Sequence, residues 1–108
     1  MAYYMFQGTY TAEAWKSLTK KPVNRFKAIS PAIEKLGGSI EGGWFMFGEY
    51  DFMIIAQLPD NVSAAAFSLA VASGGSLKSS HTTPLMTVDE GLLAMKKAGT
   101  SGYRPPGK

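Results

Sequence analysis

Apolar side chains recur along this chain with two periods, and the changes from one to the other mark out its elements. From Tyr3 to Tyr10 both alternating sets are apolar, with Tyr4, Phe6 and Tyr10 on one side and Tyr3 and Met5 on the other, which predicts a strand buried on both faces. Thr11 then caps a helix carrying Glu13, Trp15 and Leu18, until Lys20, Lys21 and Pro22 interrupt it. Pro22 suits the first turn of a second helical segment, in which Val23, Phe26, Ile29, Ile33 and Leu36 return at three- and four-residue spacing. Pro31 falls inside that stripe and predicts a kink or short break, and Gly37-Gly38 ends the helix.

Period two returns from Ile40 to Phe47 and again from Asp51 to Leu58, with only Gly48-Glu49-Tyr50 between. So short a link predicts an antiparallel hairpin, glycine supplying the positive φ of a tight turn. After Pro59, Asp60 or Asn61 caps an almost uncharged helix from about Val62 to Ala72, with Val62, Ala66, Leu69 and Ala70 inward, Phe67 and Val71 on its flank, and Gly74-Gly75 at its end. Lys78 to Met86 reads as a last strand, and Pro84 puts it at an edge or an end. Thr87 and Glu90 form a capping box for a short final helix through Leu92, Leu93 and Met95.

The order strand, helix, strand, strand, helix, strand is that of a ferredoxin-like βαββαβ plait, an α+β fold with both helices on one face of a four-stranded sheet, because each crossover is right-handed. The other face, carrying Tyr, Met, Phe and Ile, would leave more apolar surface in water than a monomer usually shows, so a homodimer with sheets packed face to face is expected. Residues 1–98 form the one domain, and 99–108, rich in Gly, Pro, Ser and basic residues, form a flexible tail.

At 108 residues the chain has room for one core, and its 45% apolar and 18% charged composition places it among folded domains. It contains no cysteine and a single histidine, His81, which excludes thiol nucleophiles and cysteine zinc sites and leaves no multi-histidine metal cage within one chain. No metal and no cofactor is expected. The net charge is +3, and Lys16, Lys20, Lys21, Arg25, Lys27 and Lys35 fall in one stretch, whose ordinary reading is a solvated helix face and whose rarer one is an anion-binding patch. The first residues lack the flanks of a secretory signal and no stretch suits a membrane helix, so a cytoplasmic protein is expected.

Gly48-Glu49-Tyr50-Asp51, followed by the apolar strand to Leu58 and preceded by Leu36-Gly37-Gly38 and the aromatic run Trp44 to Phe47, resembles the GYD family, named for that signature. The likeness covers roughly residues 3–95. It implies a dimeric α/β barrel, the architecture of small cofactor-free monooxygenases, muconolactone isomerases and stress-responsive barrels, and brings no assigned reaction with it.

Candidate catalytic residues are His81, Asp51 and Tyr50. His81 is the one side chain that titrates near neutral pH and so the natural general base, while a phenol beside a carboxylate could serve as acid and base. Each has a structural counter-reading: the turn needs Gly48, Asp side chains bind backbone N–H groups in turns, and His81 shares a mixed strand face with Leu77, Ser79, Thr83 and Leu85. A serine hydrolase lacks its Gly-x-Ser-x-Gly elbow, and the glycines form no nucleotide-binding loop. Tyr4 and Phe6 could stack on RNA bases only if their face were open, which leaves nucleic acid a minor option. The leading expectation is a homodimer, or a higher homo-oligomer, that binds or transforms a small apolar or aromatic molecule in a metal-free pocket. The alternative is a non-enzymatic ligand-sensing or assembly module.

Overall fold

The computed structural model describes residues 1–107; Lys108, the end of the expected tail, lies outside the described residues. Its elements are β1 (Ala2–Tyr10), α1 (Ala12–Lys20), α2 (Arg25–Lys35), β2 (Ser39–Phe45), β3 (Phe52–Leu58), α3 (Asn61–Ser73), β4 (Leu77–Leu85) and α4 (Val88–Gly99). The four strands form one sheet in the order β2-β3-β1-β4, and every neighbouring pair is antiparallel. This is the ferredoxin-like plait, with β2 and β4 at the edges. Pro84 accordingly sits in an edge strand, opposite Tyr4. Among the described residues, no helix is long and apolar enough to cross a membrane.

Side-chain alternation divides the sheet. Tyr4 and Phe6 of β1 and Phe52, Ile54, Ala56 and Leu58 of β3 are buried on the helix side, where Ile33 of α2 and Ala64 and Phe67 of α3 close the core. α2 packs against β2, and α3 against β3 and β4, so the two helices stand over opposite flanks of the sheet. The alternate residues Tyr3, Met5, Met53 and Ile55 face the other way and are only partly covered. Burial on both sides of β1 is therefore half realised, because within one chain the second face has no layer over it.

Local chemistry explains most boundaries. Thr11, Asn24 and Asp60 each accept from a backbone N–H in the first turn of the helix they cap, and Thr87 with Glu90 makes the reciprocal box of α4. At the end of α2, Gly38 N–H donates to the Ile33 carbonyl and Gly37 N–H to that of Glu34, with Gly37 at φ 88°, a Schellman cap. The next glycine is there for space: a Cβ on Gly38 would lie 2.2 Å from the Gln57 carbonyl oxygen.

Three expectations are corrected. α2 begins at Arg25 after the Asn24 cap rather than at Pro22, leaving Val23 half exposed in the link. Pro31 neither breaks nor interrupts α2, because it lies on the solvent side, where water can take the carbonyl its missing N–H leaves free. α3 turns the opposite face inward: Phe67 and Ala64 are buried and Val71 is partly buried, whereas Val62 and Leu69 stand exposed. A helix without charges has no polar side to orient it. The Phe67 ring, packed edge-on against Phe6 at 5.1 Å, decides its rotation.

α4 departs from the body. It packs closely against no other element of the described chain, and Leu92, Leu93 and Met95 are exposed along it. The radius of gyration, 17.4 Å, exceeds the roughly 13 Å of a folded domain of this length, and the longest dimension reaches 59 Å.

Candidate functional site

Because α2 and α3 stand over opposite flanks, the middle of the sheet lies open between them. Phe6, Phe52 and Ile54 floor the resulting cleft, Phe26 and Ile29 wall it from α2, and Phe67 and Val71 from α3. Its volume is about 290 Å³, at the lower end for a small-molecule site. Large side chains line this space without filling it. Polar groups enter along one wall and at one end: Ser80 and Thr82 from β4, Ser68 from α3, and Tyr10 and Arg25. Ser68 and Thr82 hydrogen-bond to each other through their hydroxyls across that wall.

Tyr10 is the most constrained of these. Its backbone N–H donates to Asp51 Oδ2 at 2.9 Å, and its ring packs against Trp15 and Phe52 with centroids 5.1 and 5.3 Å away. Burial pushes its phenol above the ordinary tyrosine pKa, against the opposing pull of the Arg25 guanidinium, so the hydroxyl is held neutral.

The three residues singled out in the sequence separate into two places. Asp51 does not enter the cleft. Its Oδ2 accepts from Tyr10 N–H and from the Trp15 indole N–H at 3.0 Å, while its own backbone N–H donates to the Gly8 carbonyl. One carboxylate thus ties the β2–β3 turn to the end of β1 and to α1. Gly48 takes φ 114° in the same turn, which Met46 N–H closes by donating to the Asp51 carbonyl.

Tyr50 and His81 do meet, edge to face at 5.2 Å. Register pairs His81 with Gln7 and Thr82 with Phe6, so the His81 side chain points to the bare face of the sheet, although the residue itself is among those that border the cleft. Ser79, Thr83 and Leu85 share that face as expected. Leu77 does not: the bulge between Thr9 and Tyr10 turns it onto the core. Tyr4 and Phe6, the strand aromatics considered for base stacking, are buried under the helices.

The segment from Gly48 to Asp51 therefore builds a turn that locks three elements together, and this is the part of the chain that carries the family signature. The GYD domain model matches residues 4–94 of the 108. The chain belongs to the GYD family. No curated protein and no solved structure matches it. In this GYD protein the signature tyrosine faces His81 and the signature aspartate holds the turn.

The sequence did not single out Tyr10 and Arg25. Tyr10 reads as one more apolar strand residue, and Arg25 as one of six basic residues in a solvated run. The usable signal was position. Arg25 directly follows the Asn24 cap and opens α2, and of the six it is the one that is partly buried.

Proposed function

We propose that this GYD protein is a homodimeric binding protein whose cleft between α2 and α3 takes one small apolar or aromatic molecule per chain. The observation that carries the reading is the unfilled space of about 290 Å³ over Phe6, Phe52 and Ile54. An open apolar cleft of that size leaves large side chains in contact with water, and a ligand that covers them removes that exposure. Binding is favoured over turnover, because the polar side chains directed into the cleft are hydroxyls, a phenol and a guanidinium, none of which exchanges protons near neutral pH, whereas Gln7 and His81 border it from strand positions whose side chains point to the other face of the sheet. The imidazole and the two signature side chains are directed elsewhere.

The dimer rests on two unpartnered apolar surfaces. Tyr3, Met5, Met53, Ile55 and Trp44 run across the face of the sheet away from the helices, and Trp44 is 54% exposed. Four strands spaced ~4.8 Å apart and about 25 Å long present roughly 500 Å² in flat projection. A stable interface takes about 800 Å² from each partner, more than that face supplies alone. α4 adds a strip roughly 18 Å long and 10 Å wide when it lies across a second copy, which brings the surface to roughly 680 Å² per chain, inside the about 600–1,000 Å² per partner that stable interfaces span.

A thermal-shift screen against small aromatic acids, quinones and keto acids tests the cleft. A ligand at a hundred times its Kd stabilises by about 2.7 kcal/mol, a rise of roughly 10 °C for a domain of this size. A panel without effect on the melting point contradicts the binding reading. Light scattering tests the assembly: the reading requires twice the 11.6 kDa chain mass at low micromolar concentration, and a species of 11.6 kDa overturns it.

A further inference from the structure

The cleft is apolar along most of its length but not at one end. There the last residue of β1, Tyr10, and the first of α2, Arg25, both line it. A second, smaller cleft beneath α1 meets the same two side chains from the opposite side and adds Lys21. Arg25 and the Tyr10 phenol border both clefts together, and the phenol, already protonated at neutral pH and raised further by burial, is an O–H donor there. Lys16, Lys20, Lys21, Lys27 and Lys35 all extend into solvent, so the partial burial of Arg25 is not the habit of the basic run. Holding a guanidinium against an apolar wall sacrifices part of its hydration, which an anion in the cleft restores. Asp51 is the carboxylate that acts on Tyr10, and its Oδ2 is already engaged by Tyr10 N–H and the Trp15 indole.

We propose that the cleft selects small carboxylic acids, the carboxylate held by the Arg25 guanidinium and the Tyr10 hydroxyl and the apolar skeleton lying between α2 and α3 towards Phe67 and Val71. The assignment rests on the cleft being the binding site, and it adds the charge of the ligand. The planar fork of arginine matches the two oxygens of a carboxylate, and one cation beside a neutral donor balances a single negative charge better than the double charge of a phosphate monoester.

The test compares 1-naphthoate with its neutral counterpart 1-naphthamide by calorimetric titration of the full chain. On the wild-type protein the acid binds at least tenfold tighter than the amide. Arg25→Met removes the advantage of the acid over the amide, weakening the acid by far more than the amide, whereas Tyr10→Phe weakens the acid several-fold. Arg25→Lys, which keeps the charge and loses the fork, falls between wild type and Arg25→Met, and it serves as the measurement should the methionine variant lose its circular dichroism spectrum. Equal binding of acid and amide to wild type overturns the carboxylate assignment while leaving the cleft as the site. Absence of binding by both probes at millimolar concentration overturns the cleft reading and this assignment together.

Discussion

Replacing Asp51 with alanine separates a signature that builds the fold from one that performs chemistry. The carboxylate accepts two hydrogen bonds on one oxygen, from Tyr10 N–H at 2.9 Å and from the Trp15 indole at 3.0 Å. Bonds to a charged acceptor contribute about 1.5–3 kcal/mol each, so about 2 kcal/mol is assigned to the partly buried backbone donor and about 1 kcal/mol to the more exposed indole. Asp51→Ala should then cost about 3 kcal/mol, which lowers the melting temperature by roughly 12 °C at about 4 °C per kcal/mol. Asp51→Asn keeps an oxygen acceptor without the charge and should cost about 1 kcal/mol. Trp15→Phe removes only the indole donor, and a double-mutant cycle with Asp51→Ala should return a coupling of about 1 kcal/mol. Thermal melts followed by circular dichroism, with titration of a ligand from the screen, supply the readings. An Asp51→Ala protein that melts with the wild type refutes the structural role, as does an Asp51→Asn protein of full stability that has lost ligand binding.

Two further outcomes follow from the packing and the titration. Phe67→Ala removes a buried ring packed on Phe6 and should cost about 3 kcal/mol, the lower end for such a truncation because the cleft already borders the site; a chemical-denaturation midpoint equal to wild type would contradict the rotation described for α3. Burial raises the folded-state pKa of the Tyr10 phenol above the ordinary tyrosine value of about 10, so its contribution is fully present below that pH and is lost as pH rises through the folded value. Tyr10→Phe should therefore show a shallower alkaline loss of stability than wild type in melts taken across pH 10, and identical slopes would show that the phenol is not held neutral by burial.

What could be read from the residues was whatever local chemistry decides. The caps at Thr11, Asp60 and Thr87, the glycine stop after α2 and the glycine turn at Gly48 depend on side chains within a few positions of the backbone groups they satisfy, and the structure places each of them. The topology follows from the same boundaries, since two strand-helix-strand crossovers of one hand leave one arrangement for the sheet. The inward face of α3 was not legible. Alanine and serine surround Phe67, Leu69 and Val71 on every side, so only the partner ring across the interface chooses among them. The start of α2 was misplaced for a related reason: proline and asparagine both open helices, and the Asn24 side chain takes the Lys27 N–H while Pro22 has no equivalent bond to offer.

The site was the least legible part. Tyr10 and Arg25 are separated in sequence by all of α1, and nothing local to either shows that they border one cleft. The contact between Tyr50 and His81 likewise joins a turn to the far edge strand. Residue type pointed to the imidazole of His81, the carboxylate of Asp51 and the phenol of Tyr50, whereas the guanidinium of Arg25 and the phenol of Tyr10 line the opening between the helices. The bare face of the sheet was foreseen from the alternation of Tyr3 and Met5, whereas the outward course of α4 was not, because a capped helix carries no sign of what it lies against.

The most direct test is a map of amide and methyl shifts on titrating the isotope-labelled protein with 1-naphthoate. Binding in the cleft moves the resonances of Phe6, Phe26, Ile54, Phe67 and Val71 together and leaves Met53 and Trp44, on the other face of the sheet, at rest. Shifts centred on Trp44, Met53 and Met5 instead would place the ligand on the bare face and contradict the account.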